Sequence, residues 1–146
     1  MSDVIRRTGE ERQASIEETA AALEIDEALI SDLVDGFYTR IRADALLGPV
    51  FEQVVGDHWD THLPKMKNFW SAVALGTKRY DGRPMPAHTR LPGLTEAHFT
   101  RWLTLFRETL DEIAPNPAAH DFFLDRACRM AKSFRFMILH VNTDVS

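Results

Sequence analysis

The proline-flanked histidine at position 88 has the setting that a single metal ligand needs. It lies in the stretch Arg83-Pro84-Met85-Pro86-Ala87-His88-Thr89-Arg90-Leu91-Pro92. Proline lacks an N–H and clashes with the preceding helical turn, so this stretch predicts a short, stiff turn. A ring held on such a turn can offer one nitrogen to a metal while a neighbouring carbonyl fixes the other. A loop histidine is more often a plain surface residue, so the rest of the chain has to decide between the two interpretations.

Tyr38, His62 and Trp102 are further polar residues on predicted helices. Tyr38 is the polar exception on an apolar stripe, and a buried phenol needs a hydrogen-bond partner in the protein or in a bound ligand. Both a core tyrosine bonded to the backbone and a pocket residue fit this pattern. His58 and His62 have the four-residue spacing of metal ligands on a helix. Trp59 stands where a metalloprotease would carry its glutamate, which disfavours a two-histidine metal site.

Apolar residues spaced three and four apart predict the helices that position these side chains. Ser15 and Glu18 match a capping box, which predicts a first short helix that runs through Glu24. Asp26 caps the second helix. The inward-facing stripes of the longer helices are Leu29, Ile30, Leu33, Val34, Phe37, Tyr38 and Ile41; Trp59, Met66, Phe69, Trp70, Val73 and Ala74; Phe99, Trp102, Leu103, Phe106, Leu110 and Ile113; and Phe122, Phe123, Ala127, Met130, Ala131, Phe134, Met137 and Ile138.

Glycine and proline mark the predicted helix boundaries. Gly48-Pro49 predicts the stop of the second helix within a tight connection. Proline is tolerated in a first helical turn, so Pro64 predicts a regular helix that begins near Leu63, with His62 close to its start. No alternating pattern is long enough for a strand, and the predicted fold is all-α. The other boundaries are predicted at Leu75-Gly76, Thr95 and Asn116-Pro117.

Composition limits the class of protein. The 146 residues predict one domain over residues 14–146, preceded by a mobile polar tail over residues 1–13. No apolar run is long enough for a membrane helix, and the net charge of −5 argues against a nucleic-acid partner. A single cysteine, Cys128, excludes an internal disulfide and predicts a cytoplasmic protein. Nine phenylalanines and three tryptophans would serve a core and would also suit a flat apolar ligand.

Haem would use all of these features together. A porphyrin is a flat apolar body whose crevice needs aromatic and aliphatic walls, and its iron needs one axial imidazole. The open sixth position needs hydrogen-bond donors for a diatomic ligand. The chain contains no Cys-x-x-Cys-His, so attachment would be non-covalent.

Several short motifs follow one another along the chain: Phe37-Tyr38, Leu47-Gly48-Pro49-Val50-Phe51, Trp59-x-x-His62, Asn68-Phe69-Trp70, Tyr80-Asp81-Gly82-x-Pro84, His88-x-x-Leu91-Pro92 and Trp102-Leu103-x-Leu105-Phe106. In this order they resemble the truncated haemoglobins, most closely those of group III. The resemblance runs from about residue 27 to residue 140, and the set is specific because its order matches. A Gly56 without a following glycine also fits group III, which lacks the glycine pairs of the other groups.

The resemblance implies a fold, a cofactor and residue roles. The fold would be a two-over-two helical sandwich whose proximal helix is reduced to the short turn around His88. The cofactor would be haem b with His88 as the iron ligand. Tyr38, His62 and Trp102 would be the distal polar residues. The haem walls would be Phe51, Met66, Phe69 and Leu94, although plain core packing is the alternative for Leu94. The propionates would contact Lys65 and Arg90.

Three functions are consistent with this sequence. The first is a haem protein that binds O₂, NO and CO and carries out oxygen or NO chemistry, including conversion of NO to nitrate, with an external reductase as electron donor. The second is a peroxidase, which would need a carboxylate beside the axial histidine. The nearest acid in sequence to His88 is Asp81, beyond two prolines, so ligand binding is favoured. The third is a cofactor-free helical interaction module. Donors such as Tyr38 and Trp102 slow oxygen release, which argues against bulk oxygen delivery.

Overall fold

Residues 8–80 and 93–144 are described by the computed structural model, with side chains through residue 136. These two ranges contain six α-helices and no strand, so the predicted all-α class is confirmed. No helix among the described residues is long and apolar enough to cross a membrane. The helices are α1 Gly9–Ala22, α2 Glu27–Ala43, α3 Gly48–Val55, α4 Trp59–Leu75, α5 Glu96–Ile113 and α6 Pro117–Asp144.

Helix α1 begins earlier than the sequence predicted. Its cap is Thr8, whose Oγ1 accepts from the Glu11 N–H at 3.1 Å while Glu11 Oε2 accepts from the Thr8 N–H at 3.3 Å. The predicted start at Ser15 is therefore wrong, and residues 9–13 of the predicted tail lie in the helix. Gln13 Nε2 also donates to the Leu75 carbonyl at 3.0 Å, which ties α1 to the end of α4. Residues 1–7 lie outside the described ranges.

Helix α2 follows its sequence signals, whereas the segment after it does not. Asp26 caps it by accepting from the Leu29 N–H at 2.8 Å, and its predicted stripe is buried except for the half-buried Leu29. The helix ends at Ala43, before Gly48-Pro49. Those two residues open α3 instead of stopping α2, because proline fits the first turn of a helix, where its missing N–H leaves no bond unmade.

Helix α4 is longer than predicted and carries Pro64 inside it. The helix begins at Trp59, not near Leu63, and His62 already donates its backbone N–H to the His58 carbonyl at 2.9 Å. His62 is thus on regular helical backbone, and the expectation that it lies at a loosely held helix start is wrong. Gly76 ends the helix as predicted, in a left-handed conformation with φ 68° that costs glycine little.

The predicted caps of α5 and α6 are confirmed. Thr95 is the cap of α5, and its backbone N–H donates to His98 Nδ1 at 3.1 Å. Asn116 Oδ1 accepts from the Ala119 N–H at 2.8 Å and so caps α6. The Asn116 side-chain amide also donates to the Leu23 carbonyl at 2.9 Å, which joins the start of α6 to the end of α1.

The helices form two packed pairs. Helix α2 packs against α4, α5 packs along α6, and α2 contacts α5 across the interior. Phe106 is fully buried where the pairs meet, and it stacks on Trp70 with ring centroids 5.4 Å apart. This is the two-over-two arrangement that the sequence predicted. The turn predicted around His88 lies outside the described residues.

Candidate functional site

A largely apolar cavity lies between the two helix pairs. Every helix from α2 to α6 contributes side chains to it, and most of these are aromatic or aliphatic. Its described lining residues are Phe37, Tyr38, Leu47, Val50, Phe51, Met66, Phe69, Trp70, Leu94, His98, Phe99, Trp102, Met130, Ala131 and Phe134.

Tyr38 brings a hydroxyl to the cavity from α2. Its ring is 7% exposed and is held edge-on by Phe51 and Trp59, with centroids 6.0 and 5.7 Å away. Burial raises the pKa of Tyr38 well above its ordinary value, and the nearby Tyr80 adds to the effect. The phenol therefore keeps its proton near neutral pH and can donate a hydrogen bond.

Trp102 faces the same cavity from α5 and is half-buried. Its indole stacks on Phe106, with centroids 5.6 Å apart and ring planes 12° apart. Phe37 meets the indole edge-on at 5.2 Å. Two rings thus fix the plane of an N–H group that can only donate.

His62 packs against Tyr38 and is not among the described lining residues of the cavity. Its ring meets Tyr38 edge-on at 5.1 Å and Trp59 edge-on at 5.5 Å. The Nε1 atom of Trp59 is buried and has no hydrogen-bond partner among the described residues, and the Arg42 guanidinium lies 4.6 Å from the centroid of its ring. The structure therefore brings Tyr38, Trp59 and His62 together as one three-ring cluster on α2 and α4.

The residues that the sequence nominated as ligand walls lie in one place. Phe51 from α3, Met66 and Phe69 from α4, and Leu94 just before α5 all line the cavity. Lys65 is exposed on α4 beside Met66 and does not line it. The two other nominated residues, His88 and Arg90, lie outside the described ranges. Within those ranges, no cluster of three or more His, Cys, Asp or Glu side chains could hold a metal ion.

Several lining residues were not singled out as site residues by the sequence. Phe99, Met130, Ala131 and Phe134 were placed on apolar stripes, but a stripe does not tell a cavity wall from the core. His98 carried no signal at all, because it reads as an ordinary residue of a helical first turn. Only the fold shows that His98 reaches the cavity. Cys128 is exposed on α6.

Comparison with known proteins gives the family. The family model of the bacterial-like globins matches residues 23–136. The chain is similar to the group 3 truncated hemoglobin ctb of Campylobacter jejuni, at 35% identity over 117 residues, which are 78% of this chain and 91% of that protein. It superposes on the crystal structure of the group III truncated hemoglobin from Campylobacter jejuni with a TM-score of 0.74 and 34% identity, covering 78% and 91% of the two chains. The group 2 truncated hemoglobin YjbI of Bacillus subtilis is 30% identical over 106 residues, 70% of this chain and 77% of that protein.

The chain belongs to the group III truncated haemoglobins. The resemblance seen in the sequence is confirmed by the family model and by the relatives that cover most of the chain. Membership in this family implies haem binding and, through haem, the binding of a gaseous ligand.

The cavity of this truncated haemoglobin fits the cofactor that the family implies. Its walls are flat aromatic rings and aliphatic side chains, which suit a large planar apolar body. No Asp, Glu, Lys or Arg side chain lies among the described lining residues, so no fixed charge opposes entry of such a body. Tyr38 and Trp102 add hydrogen-bond donors that a purely structural core would not require.

Proposed function

We propose that this truncated haemoglobin binds haem b with His88 as the axial ligand and carries out oxygen or NO chemistry. The observation that supports this most directly is the pair of fixed donors, Tyr38 O–H and Trp102 N–H, in an otherwise largely apolar cavity. We propose that the functional domain comprises residues 14–146. Residues 9–13 belong to the same helix, α1, and precede this domain. Haem supplies, when bound, an iron centre that binds a diatomic gas and exchanges electrons with it.

The residues of the chain would determine which gas is held longest. A hydrogen-bond donor stabilises a ligand that carries partial negative charge, and oxygen gains more such charge than CO. A phenol is protonated at neutral pH, and burial raises the pKa of Tyr38 further, so its donor persists through the neutral range and above it. Phe106 and Phe37 hold the Trp102 indole in place, so the second donor needs little reorganisation. Slow oxygen release favours a reaction of the gas over its delivery.

Conversion of NO to nitrate is the reaction that we propose. One NO, one O₂ and one electron make one nitrate ion, and the electron would come from an external reductase. The wall residues Phe51, Met66, Phe69 and Leu94 would exclude water from the reacting gases. Lys65 and Arg90 would bind the propionates, and His62 would act as a gate for gas entry.

A single-turnover assay tests this function. The reduced, oxygenated protein is mixed with NO, and the nitrate is measured against the haem content. About one nitrate per haem is expected from this stoichiometry. Recovery of unreacted NO together with unchanged protein would contradict the proposal. Steady turnover upon addition of a flavin reductase and NADH would support the external electron donor.

A further inference from the structure

Among the described lining residues, His98 is the one with a polar side chain that the proposed function does not use. It lies in the first turn of α5, four residues before Trp102 and therefore on the same face of that helix. Four residues span about 6 Å along a helix axis. His98 is half-buried, next to the exposed Thr95, and so lies toward the rim of the cavity.

The orientation of the imidazole is fixed by the cap of α5. The Thr95 backbone N–H donates to His98 Nδ1 at 3.1 Å, and the Thr95 hydroxyl lies 3.0 Å from the same nitrogen. A backbone N–H can only donate, so Nδ1 is the acceptor and the ring proton is on Nε2. Because Nδ1 is occupied, Nε2–H is the polar group that the ring can direct to a cavity ligand.

The polar groups along the cavity are thus all of one kind. Tyr38 O–H, Trp102 N–H and His98 Nε2–H are donors, and the described lining contains no carboxylate. The proposed function assigns Tyr38 and Trp102 to a bound gas, which leaves the His98 donor at the rim without an assigned role. Haem brings two propionate carboxylates, and a carboxylate is the acceptor that forms the strongest bond with such a donor.

We propose that His98 is a further cofactor-binding residue, whose Nε2–H donates to a haem propionate while Nδ1 caps α5. This proposal rests on the proposed function, because it requires haem in the cavity. One side chain would then couple the start of α5, and with it the placement of Trp102, to the bound cofactor. The role extends the propionate contacts predicted for Lys65 and Arg90, which the sequence chose by charge alone.

Replacement of His98 by glutamine separates the two bonds of the ring. Glutamine at the third position of a helix can still accept from the N-cap backbone N–H, so His98→Gln keeps the cap but loses the imidazole donor. Haem loss to an excess of acceptor apoglobin is followed by absorption for the wild type and the variant. A hydrogen bond to a charged group corresponds to a change of about 10- to 100-fold, so His98→Gln should lose haem faster by that factor.

Haem dimethyl ester, whose propionates are blocked, gives the decisive comparison. With this ligand the wild type and His98→Gln should lose the cofactor at similar rates, because no carboxylate is left to bind. An equal acceleration with both cofactors would show that His98 acts through packing and would overturn the proposal. Unchanged haem loss with ordinary haem would overturn it too.

The unfolding midpoints of the two apoproteins should agree, which would show that the cap of α5 is intact in the variant. Should His98→Gln fail to fold, His98→Asn is measured in the same way. A wild type that binds neither cofactor would instead refute the proposed function itself.

Discussion

The Tyr38 and His62 rings meet edge to face, with centroids 5.1 Å apart and planes at 86°. Tyr38 lines the cavity, whereas His62, on α4, is not among its described lining residues. The two polar residues that the sequence treated as equivalent distal candidates therefore differ in position. We expect Tyr38 to contact a bound gas directly and His62 to act on the gas by moving or by holding Tyr38.

Tyr38→Phe should speed oxygen release by about 10- to 100-fold, because it removes a hydrogen bond worth about 1.5–3 kcal/mol and leaves the ring in place. CO carries less charge, so its release should change little. Stopped-flow measurement of both gases checks this. Equal effects of Tyr38→Phe on both gases would point to packing and remove the reason for oxygen chemistry.

Trp102→Phe should speed oxygen release by a smaller factor than Tyr38→Phe. The indole is half-buried, and Tyr38 remains as a donor when it is removed. The double variant shows whether the donors compensate for each other, since compensation makes the joint effect exceed the product of the single effects. If Trp102→Phe left the rate of oxygen release unchanged, both alone and combined with Tyr38→Phe, Trp102 would be excluded as a donor.

His62→Leu should change the rate of ligand entry more than the equilibrium affinity for oxygen. The reason is its packing against Tyr38 outside the described cavity lining, where a moving ring would open or close a path without bonding to the gas. Flash photolysis of the CO complex gives the entry rate. His58→Leu, at the exposed histidine one turn earlier, controls for loss of a histidine from this part of the chain. A collapse of oxygen affinity with an unaltered entry rate would make His62 a direct donor instead of a gate.

Asp44 should make the stability of the fold depend on acid pH. Burial alone would raise its pKa, but hydrogen bonds from the Leu47 N–H, Arg101 and the Leu46 N–H outweigh this and lower the pKa below its ordinary value. A lowered pKa stabilises the fold fully above the pKa of the unfolded chain, about 3.9, and that contribution is lost as the pH falls toward the folded pKa.

Urea unfolding from about pH 6 down to about pH 2.5 measures the contribution of Asp44. Asp44→Asn should be less stable than the wild type near neutral pH, and the difference should shrink as the pH falls below about 4. Asp60→Asn, at an exposed residue of α4, is the control. A difference that stays constant over the whole range would mean that the Asp44 charge does not connect α2, α3 and α5.

Spacing of apolar residues was sufficient to predict the helices and their inward faces. The stripe from Leu29 to Ile41 is correct because one buried face of a helix leaves a direct trace in the sequence. The start of α1 was misplaced because Thr8–Glu11 and Ser15–Glu18 both match a capping box. The longer helix that Thr8 caps buries Ala20 and lets Gln13 bond to the Leu75 carbonyl. No local sequence pattern encodes such contacts.

The site was predictable only in part, for a different reason. Tyr38 and Trp102 stood out because polar groups on inward stripes need partners. His98 did not stand out, because its residue type is common in exposed helical turns and only the packing of α5 brings it to the cavity. Pro64 misled because proline inside a helix is rarer than proline at a start, yet α4 continues through it. The roles of His88 and Arg90 remain predictions from the resemblance.

The absorption spectrum of the purified protein tests the central claim most directly. The protein should carry about one haem per chain, with a Soret band and a five-coordinate ferrous spectrum. His88→Ala should lose that spectrum, and added imidazole should restore it. A colourless protein that takes up no added haem would contradict the proposed function, and a His88→Ala variant with an unchanged spectrum and haem affinity would show that another residue binds the iron.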